Sequence, residues 1–255
     1  MPYSIWYTNN LTIVGVNGRP ILDASGEIIQ TAILDPHGAN LVISNLELRH
    51  ASTQPGQGDN AAGIKIEGGT VNSPAGGNVT IQYCYIHNNQ DGILSEDAGP
   101  GGPGAPEGDG YPDGQFLYPH PYITLLYDDI AYNGNDSGST HNIYIGFDNN
   151  HQLVFTMKYS WSHDAYVGHV LKTRAPYNNI YYNIIGDALG NSSYIELFGS
   201  YVREQTLQSR PFHISAREGA IIVLRCDRMP SFMALARDVS LAGFSLGMQG
   251  IEGLL

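Results

Sequence analysis

Asn78-Val79-Thr80-Ile81-Gln82-Tyr83-Cys84-Tyr85-Ile86-His87-Asn88-Asn89 decides the fold, because degraded copies of it return along most of the chain. An apolar-x-apolar strand is followed by an aliphatic residue, then by Asn, Ser, His or Asp. Copies begin at Leu11, Leu41, Val79, Ile123, Leu153 and Asn178, at spacings of 30, 38, 44, 30 and 25 residues. A strand-turn unit repeated this often means a solenoid. Three short strands and three turns need roughly 20–25 residues, from strand and loop lengths. The shortest spacing is close to a bare coil, and the longer ones carry insertions at turns.

Each coil holds a second strand. These are Gly63-Ile64-Lys65-Ile66-Glu67, Gly92-Ile93-Leu94-Ser95-Glu96, Asn142-Ile143-Tyr144-Ile145-Gly146, His169-Val170-Leu171-Lys172-Thr173 and Ser193-Tyr194-Ile195-Glu196-Leu197. Their period-two alternation marks strands buried on one face. Asn and Gly gather between strands, where corners need left-handed backbone. No convincing helical period occurs up to Ser200. An antiparallel sandwich would need tight hairpins and no returning phrase. The expectation is therefore an all-β, right-handed parallel β-helix over about residues 8–197.

Charged residues make up only 14% of the chain, which suits a wall of Asn, Ser, Thr and Tyr. Residues 1–200 hold 19 Asp and Glu against 6 Lys and Arg. So acidic a body argues against nucleic-acid binding. No run of 18 apolar residues offers a membrane span. Met1–Trp6 has neither the basic region nor the apolar core of a signal peptide. Leu11 opens a repeat with little room for a cap, so further sequence is expected upstream of Met1. Cys84 and Cys226 are too few for a disulfide framework, and Cys84 reads as a small buried hydrophobe.

The chain changes character after Ser200. Residues 1–200 contain 19 Asn and residues 201–255 none, while Arg rises to six. Residues 1–200 read as the β-helix, with a Gly/Pro-rich insertion at 97–121. Residues 201–255 read as an atypical tail, either a C-terminal cap or aberrant sequence such as a frame slip would produce. Pro230–Val239 has the pattern of a short helix capped by Ser231.

Ala62-Gly63-Ile64-Lys65-Ile66-Glu67-Gly68-Gly69, Asn88-Asn89-Gln90-Asp91-Gly92-Ile93-Leu94, His141-Asn142-Ile143-Tyr144-Ile145-Gly146 and Gly168-His169-Val170-Leu171-Lys172-Thr173-Arg174-Ala175 resemble a group of bacterial right-handed parallel β-helix proteins of the pectin-lyase-like superfamily. The resemblance spans about residues 8–197. It implies a polysaccharide partner and an extracellular or periplasmic place. It also implies one of several activities: polysaccharide lyase, uronate epimerase, glycoside hydrolase, or none, as in tailspike-like proteins. Lyases of this kind use Arg or Lys bases, often with calcium. The group normally continues in repeats beyond Glu196-Leu197, and this chain does not.

Candidate chemistry centres on His169, Lys172 and Arg174. A uronate lyase must neutralise a carboxylate and place a base near the adjacent carbon-bound proton, and this cluster supplies cations for the first task. Aligning the second strands by their opening residues puts Ile66, Ser95, Ile145, Lys172 and Glu196 in one column. Lys172 and Glu196 then lie about 4.8 Å apart, as a base with an acid or as a plain ion pair. A bulge at Gly168 would turn Lys172 outward. The familiar lyase motifs are not visible. His141, His163, Asp164, Tyr144 and Trp161 are candidate substrate-binding residues. His87, His141 and His163-Asp164 sit near corners and, if aligned, line one edge with Asn88, Asn89, Asp91 and Asn142. Such ladders also serve turn backbones alone. No ligand spacing marks a metal site.

A glycosidase would need two carboxylates, from among Asp128-Asp129, Asp164, Asp187 and Glu196. Asp128 and Asp129 face opposite ways in a strand. The 97–121 insertion reads either as a surface loop or as a flap. As a flap, Tyr111, Phe116 and Tyr118 would stack on sugars, and Asp97, Glu107, Asp109 and Asp113 could hold calcium. The residues support two functions: an enzyme on an acidic glycan, or a non-catalytic carbohydrate-binding or cell-surface structural protein that uses an aromatic wall.

Overall fold

A computed structural model describes residues 4–6, 8–55, 61–66, 78–95, 122–135, 138–146 and 153–186, with the backbone of 194–197, 201–205, 213–215 and 221–224. The first coil is β1 (Ser4–Trp6), β2 (Thr12–Val14) and β3 (Ile21–Asp23). The second is β4 (Ala32–Pro36), β5 (Leu41–Ser44) and β6 (Glu47–Arg49). Next come β7 (Ala62–Ile66), β8 (Asn78–Gln82) and β9 (Tyr85–His87), then β10 (Asp91–Ser95), β11 (Tyr122–Leu126) and β12 (Asp129–Ala131). The fifth coil is β13 (Ile143–Ile145), β14 (Val154–Lys158) and β15 (Trp161–His163); the sixth is β16 (Leu171–Thr173), β17 (Tyr177–Tyr181) and β18 (Ile184–Gly186). The described backbone goes on through β19 (Tyr194–Leu197), β20 (Tyr201–Gln205), β21 (His213–Ser215) and β22 (Ile221–Leu224).

Strands of equal rank stack into three sheets. Sheet A runs β1-β4-β7-β10-β13-β16-β19-β21, and sheet B runs β2-β5-β8-β11-β14-β17-β20-β22. Sheet C holds β3, β6, β9, β12, β15 and β18. All pairings are parallel, as in β8 with β11 and β12 with β15. The described residues contain no helix, and the protein is an all-β, right-handed parallel β-helix. The recurring phrase covers sheets B and C, because one left-handed residue at its centre turns the chain from one to the other. The sequence-derived second strands form sheet A. Parallel pairing continues past Leu197, since β20 pairs with β17 and β22 with β20. The predicted helix at 230–239 lies outside the described residues.

Inward columns build the core. Sheet A contributes Leu34, Ile64, Ile93, Ile143 and Leu171; sheet B contributes Leu41, Val79, Ile123 and Phe155, with Ile43, Ile81, Leu125 and Met157 beside them. All are buried, and each such side chain contributes roughly 1.5–3 kcal/mol by leaving water. Isolated coils would expose this interior, so stacking is what makes the short strands stable.

Buried polar ladders fill two corners. At the sheet C to sheet A corner, Asn133 Oδ1 accepts the Asn89 backbone N–H at 3.0 Å, and Asn142 Oδ1 accepts that of Asn133 at 3.1 Å. Asn142 Nδ2 donates to the carbonyls of Ile130 (3.1 Å) and His163 (2.7 Å). At the sheet B to sheet C corner, Asp128 accepts the backbone N–H groups of Cys84 (2.8 Å) and Leu126 (3.0 Å). Ser160 and Asn183 follow it, with Asn183 Oδ1 accepting the Ser160 N–H at 2.9 Å. Cys84 is buried, as expected, and burial pushes its thiol up to about 12.

Candidate functional site

The outer face of sheet A carries a column Lys65, Leu94, Tyr144, Lys172 and Glu196. This corrects the column derived from the strand openings. Ile66, Ser95 and Ile145 pair onward with Thr173 and Leu197, one residue beyond Lys172 and Glu196. A slip of one residue exchanges the two faces of a strand. The error arose at Gly168, which presses on the Thr140 backbone so closely that a Cβ has no room. His169 therefore meets His141, not Asn142. Lys172 does stand opposite Glu196, as expected. The Glu196 side chain lies outside the described residues, as do Asp187 and the 97–121 insertion.

Asp91, Leu94, Gly138, Ser139, His141, Tyr144 and Lys172 line a hollow of about 410 Å³ on this face. That is within the usual range for a small-molecule site, about 300–1,000 Å³. Lys172 Nζ lies 5.4 Å from the Tyr144 ring centre and Arg174 Cζ lies 5.5 Å from it, so two cations share one ring. Asp91 Oδ1 accepts the His141 backbone N–H at 2.7 Å, which ties β10 to the approach to β13, two residues before the strand. His141 Nδ1 accepts the His169 backbone N–H at 3.0 Å and lies 3.2 Å from His169 Nδ1. With Nδ1 accepting, the His141 proton sits on Nε2. Burial, then the positive charges of His169, Lys172 and Arg174, push its pKa down to about 3. His141 is thus a neutral donor beside a cationic clamp.

His141, Tyr144 and Lys172 line the hollow, and His169 and Arg174 stand beside it, against His141 and Tyr144. The structure places Trp161, His163 and Asp164 elsewhere, on sheet C and the corner after it. His163 Nδ1 is 2.7 Å from Asp164 Oδ2 and Nε2 is 3.1 Å from Asp129 Oδ1. Trp161 stacks on the imidazole, centroids 3.8 Å apart. Burial opposes a charge on His163, but hydrogen bonds to Asp129 and Asp164 outweigh it and raise the pKa. His87 occupies the same column two coils below, through Ala131, with Glu47 at 3.2 Å from Nε2 and Tyr85 stacked on it. The single edge expected for His87, His141 and His163 is therefore two edges. His87 and His163 share sheet C, and His141 belongs to sheet A.

Among the described residues the candidate carboxylates are engaged within the fold. Asp128 and Asp129 point to opposite faces, as their alternation predicts. Asp128 serves turn amides inside, and Asp129 and Asp164 both grip His163. No group of three or more His, Cys, Asp or Glu side chains converges on a metal position among the described residues. The calcium that the resemblance implies finds no such group among the described residues, and the carboxylates of the 97–121 insertion lie outside them.

Sequence reasoning missed Ser139 as a lining residue and named Asp91 only along the expected histidine edge. It also missed the row at the sheet B to sheet C corner, where Tyr83, Tyr127, Tyr159 and Tyr182 succeed one another. The signal was present: Tyr83-Cys84, Tyr127-Asp128, Tyr159-Ser160 and Tyr182-Asn183 hold one position of the repeating phrase.

The fold defines a parallel β-helix protein, with a hollow on sheet A that holds Asp91, His141, Tyr144 and Lys172. Comparison with protein-family models, with curated proteins and with solved structures finds no match.

Proposed function

We propose that the protein binds or modifies an acidic polysaccharide at the sheet A hollow, as a lyase or epimerase of the pectin-lyase-like superfamily. One observation carries the reading: Lys172 and Arg174 converge on the Tyr144 ring beside a buried neutral histidine, in a body otherwise poor in cations. Two cations at one point suit a uronate carboxylate. Neutralising that carboxylate acidifies the hydrogen on the adjacent ring carbon, because the developing negative charge spreads onto the oxygens. His141 Nε2–H donates to a sugar oxygen. His169 in its neutral form, next to the clamp, is the candidate base that takes the carbon-bound proton. In a lyase the leaving oxygen then departs across the new double bond; in an epimerase a proton returns from the opposite face. Glu196, opposite Lys172 in register, is the candidate acid.

A panel of uronate polymers tests this. Unsaturated product, seen by ultraviolet absorbance, identifies a lyase, and solvent deuterium entering the polymer without cleavage identifies an epimerase. Lys172→Ala with Arg174→Ala abolishes turnover and weakens binding. Unchanged turnover in that double variant sinks the sheet A hollow as the active site. The second reading is a non-catalytic carbohydrate-binding or cell-surface protein, supported by the exposed rings of Trp161, Tyr166 and Tyr177. It predicts polymer binding without product, lost on Trp161→Ala and kept in the double variant.

A further inference from the structure

The sheet B to sheet C corner holds four tyrosines in backbone that bulky residues avoid. Tyr83, Tyr127, Tyr159 and Tyr182 have φ of 57°, 57°, 53° and 55°, where Asn45 stands one coil earlier at 57°. Left-handed backbone costs a non-glycine residue roughly 1–2 kcal/mol, and Asn least of the rest. Stacking offsets part of that cost, at about 0.5–1.5 kcal/mol per aromatic pair. Ring centres are 5.0, 5.0 and 5.4 Å apart along the row, with planes 2°, 15° and 5° from parallel. Neighbours cover the ring faces, so the row is a poor platform for stacking sugars. The rings are nonetheless exposed, at 47%, 48%, 48% and 51%. Edges and hydroxyls are what solvent reaches.

We propose that this row is an oxidative modification site, at which a peroxidase-class oxidant with hydrogen peroxide joins neighbouring tyrosines as dityrosine. Each phenol loses one electron and its hydroxyl proton. The two phenoxyl radicals couple through the ring carbons beside their hydroxyls, forming one carbon–carbon bond. The hydrogens on those carbons then shift to restore two phenols. The peroxide takes up the two electrons and two protons and leaves as two waters. Parallel planes one coil apart set like edges side by side, and a half-exposed ring needs only side-chain rotation to close the gap. Stacking also lets a radical formed at one ring pass to the next, so oxidation anywhere in the row ends at a pair. The bond staples coil to coil, across 44, 32 or 23 residues of chain, and limits the unfolded ensemble as any long-range cross-link does.

The test treats the full chain with peroxidase and limiting hydrogen peroxide, isolates monomer, and maps cross-linked peptides by mass. Expected are a loss of two hydrogens per link, joins at Tyr83–Tyr127, Tyr127–Tyr159 or Tyr159–Tyr182, and a raised melting temperature. Tyr127→Phe keeps the ring and its packing but removes two of the three pairs, so the intramolecular yield falls by about two-thirds. Tyr159→Phe does the same and leaves only Tyr83–Tyr127. Tyr122→Phe, at 50% exposure with Asn78 and Val154 as its register neighbours, leaves the yield unchanged. Links spread over Tyr122 and Tyr166 according to exposure, links between molecules only, or full yield from Tyr127→Phe would each overturn the proposal.

Discussion

His163 on sheet C and His141 on sheet A are both buried, and their surroundings drive them in opposite directions. His163 lies between the carboxylates of Asp129 and Asp164, and its pKa rises. His141 lies under burial and the charges of His169, Lys172 and Arg174, and its pKa falls to about 3. The first is a clip that holds strand to corner while charged. The second is a neutral donor whose value is that it stays uncharged. The residue type settles neither outcome; the charges that tertiary contacts bring alongside settle both.

Asn142 joins the two regions and gives the largest way to break the comparison. Its side chain serves the carbonyls of Ile130 and His163 and the amide of Asn133, all in the interior. Asn142→Ala leaves these groups unpaired, at about 1–3 kcal/mol each. The expected loss is about 3 kcal/mol or more, read from urea unfolding. A loss below about 1 kcal/mol would show that the ladder does not couple the corner.

Acidity separates the regions next. The raised pKa of His163 contributes stability that is fully present below its unfolded value and is lost as pH rises through the folded value. Asp128 behaves alike: burial raises it to about 7, against the pull of the Cys84 and Leu126 amides. Its contribution is present below about 4 and lost as pH climbs through 7. His141 has the reverse sign. Its contribution is present above 6.5 and lost as pH falls toward 3. Asp128→Asn should flatten the stability profile between pH 4 and 7. Nitrogen-detected NMR should find His141 neutral at pH 5 and the His163 titration midpoint above the ordinary 6.5. Equal titration midpoints for the two would remove the comparison.

Smaller effects sharpen it. Tyr127→Asn gives up two stacked pairs but relieves left-handed strain, so a net loss of about 1 kcal/mol is expected in thermal unfolding. Lys172→Ala removes a half-exposed cation from the Tyr144 ring, and stability should fall by less than about 1 kcal/mol. That variant should still lose affinity for uronate polymer. Loss of fold in Lys172→Ala would mean that Lys172 serves the sheet rather than a ligand.

Much of this was legible from particular residues. The phrase at 78–89 carried two sheets and a corner, and its returns marked six of the eight strands of sheet B; β20 and β22 lie where no copy of it was legible. Alternation in Asp128-Asp129 correctly sent one carboxylate inward and the other outward. His169, Lys172 and Arg174 lie close in sequence, so their clustering needed little tertiary information. The Lys172 column was misread because Gly168 packs against Thr140, 28 residues away, and moves His169 one step along the ladder. No local pattern encodes that contact.

Sequence alone determined the all-β coil, the Asn-rich corners and the position of the cation cluster. These follow from side-chain alternation and turn chemistry, which act over a few residues. Tertiary structure alone decided which column Lys172 joins, which histidine is neutral, and that four tyrosines stand in one row. Those depend on the register between coils some 23–44 residues apart, and register is set where backbones touch, not along the strand.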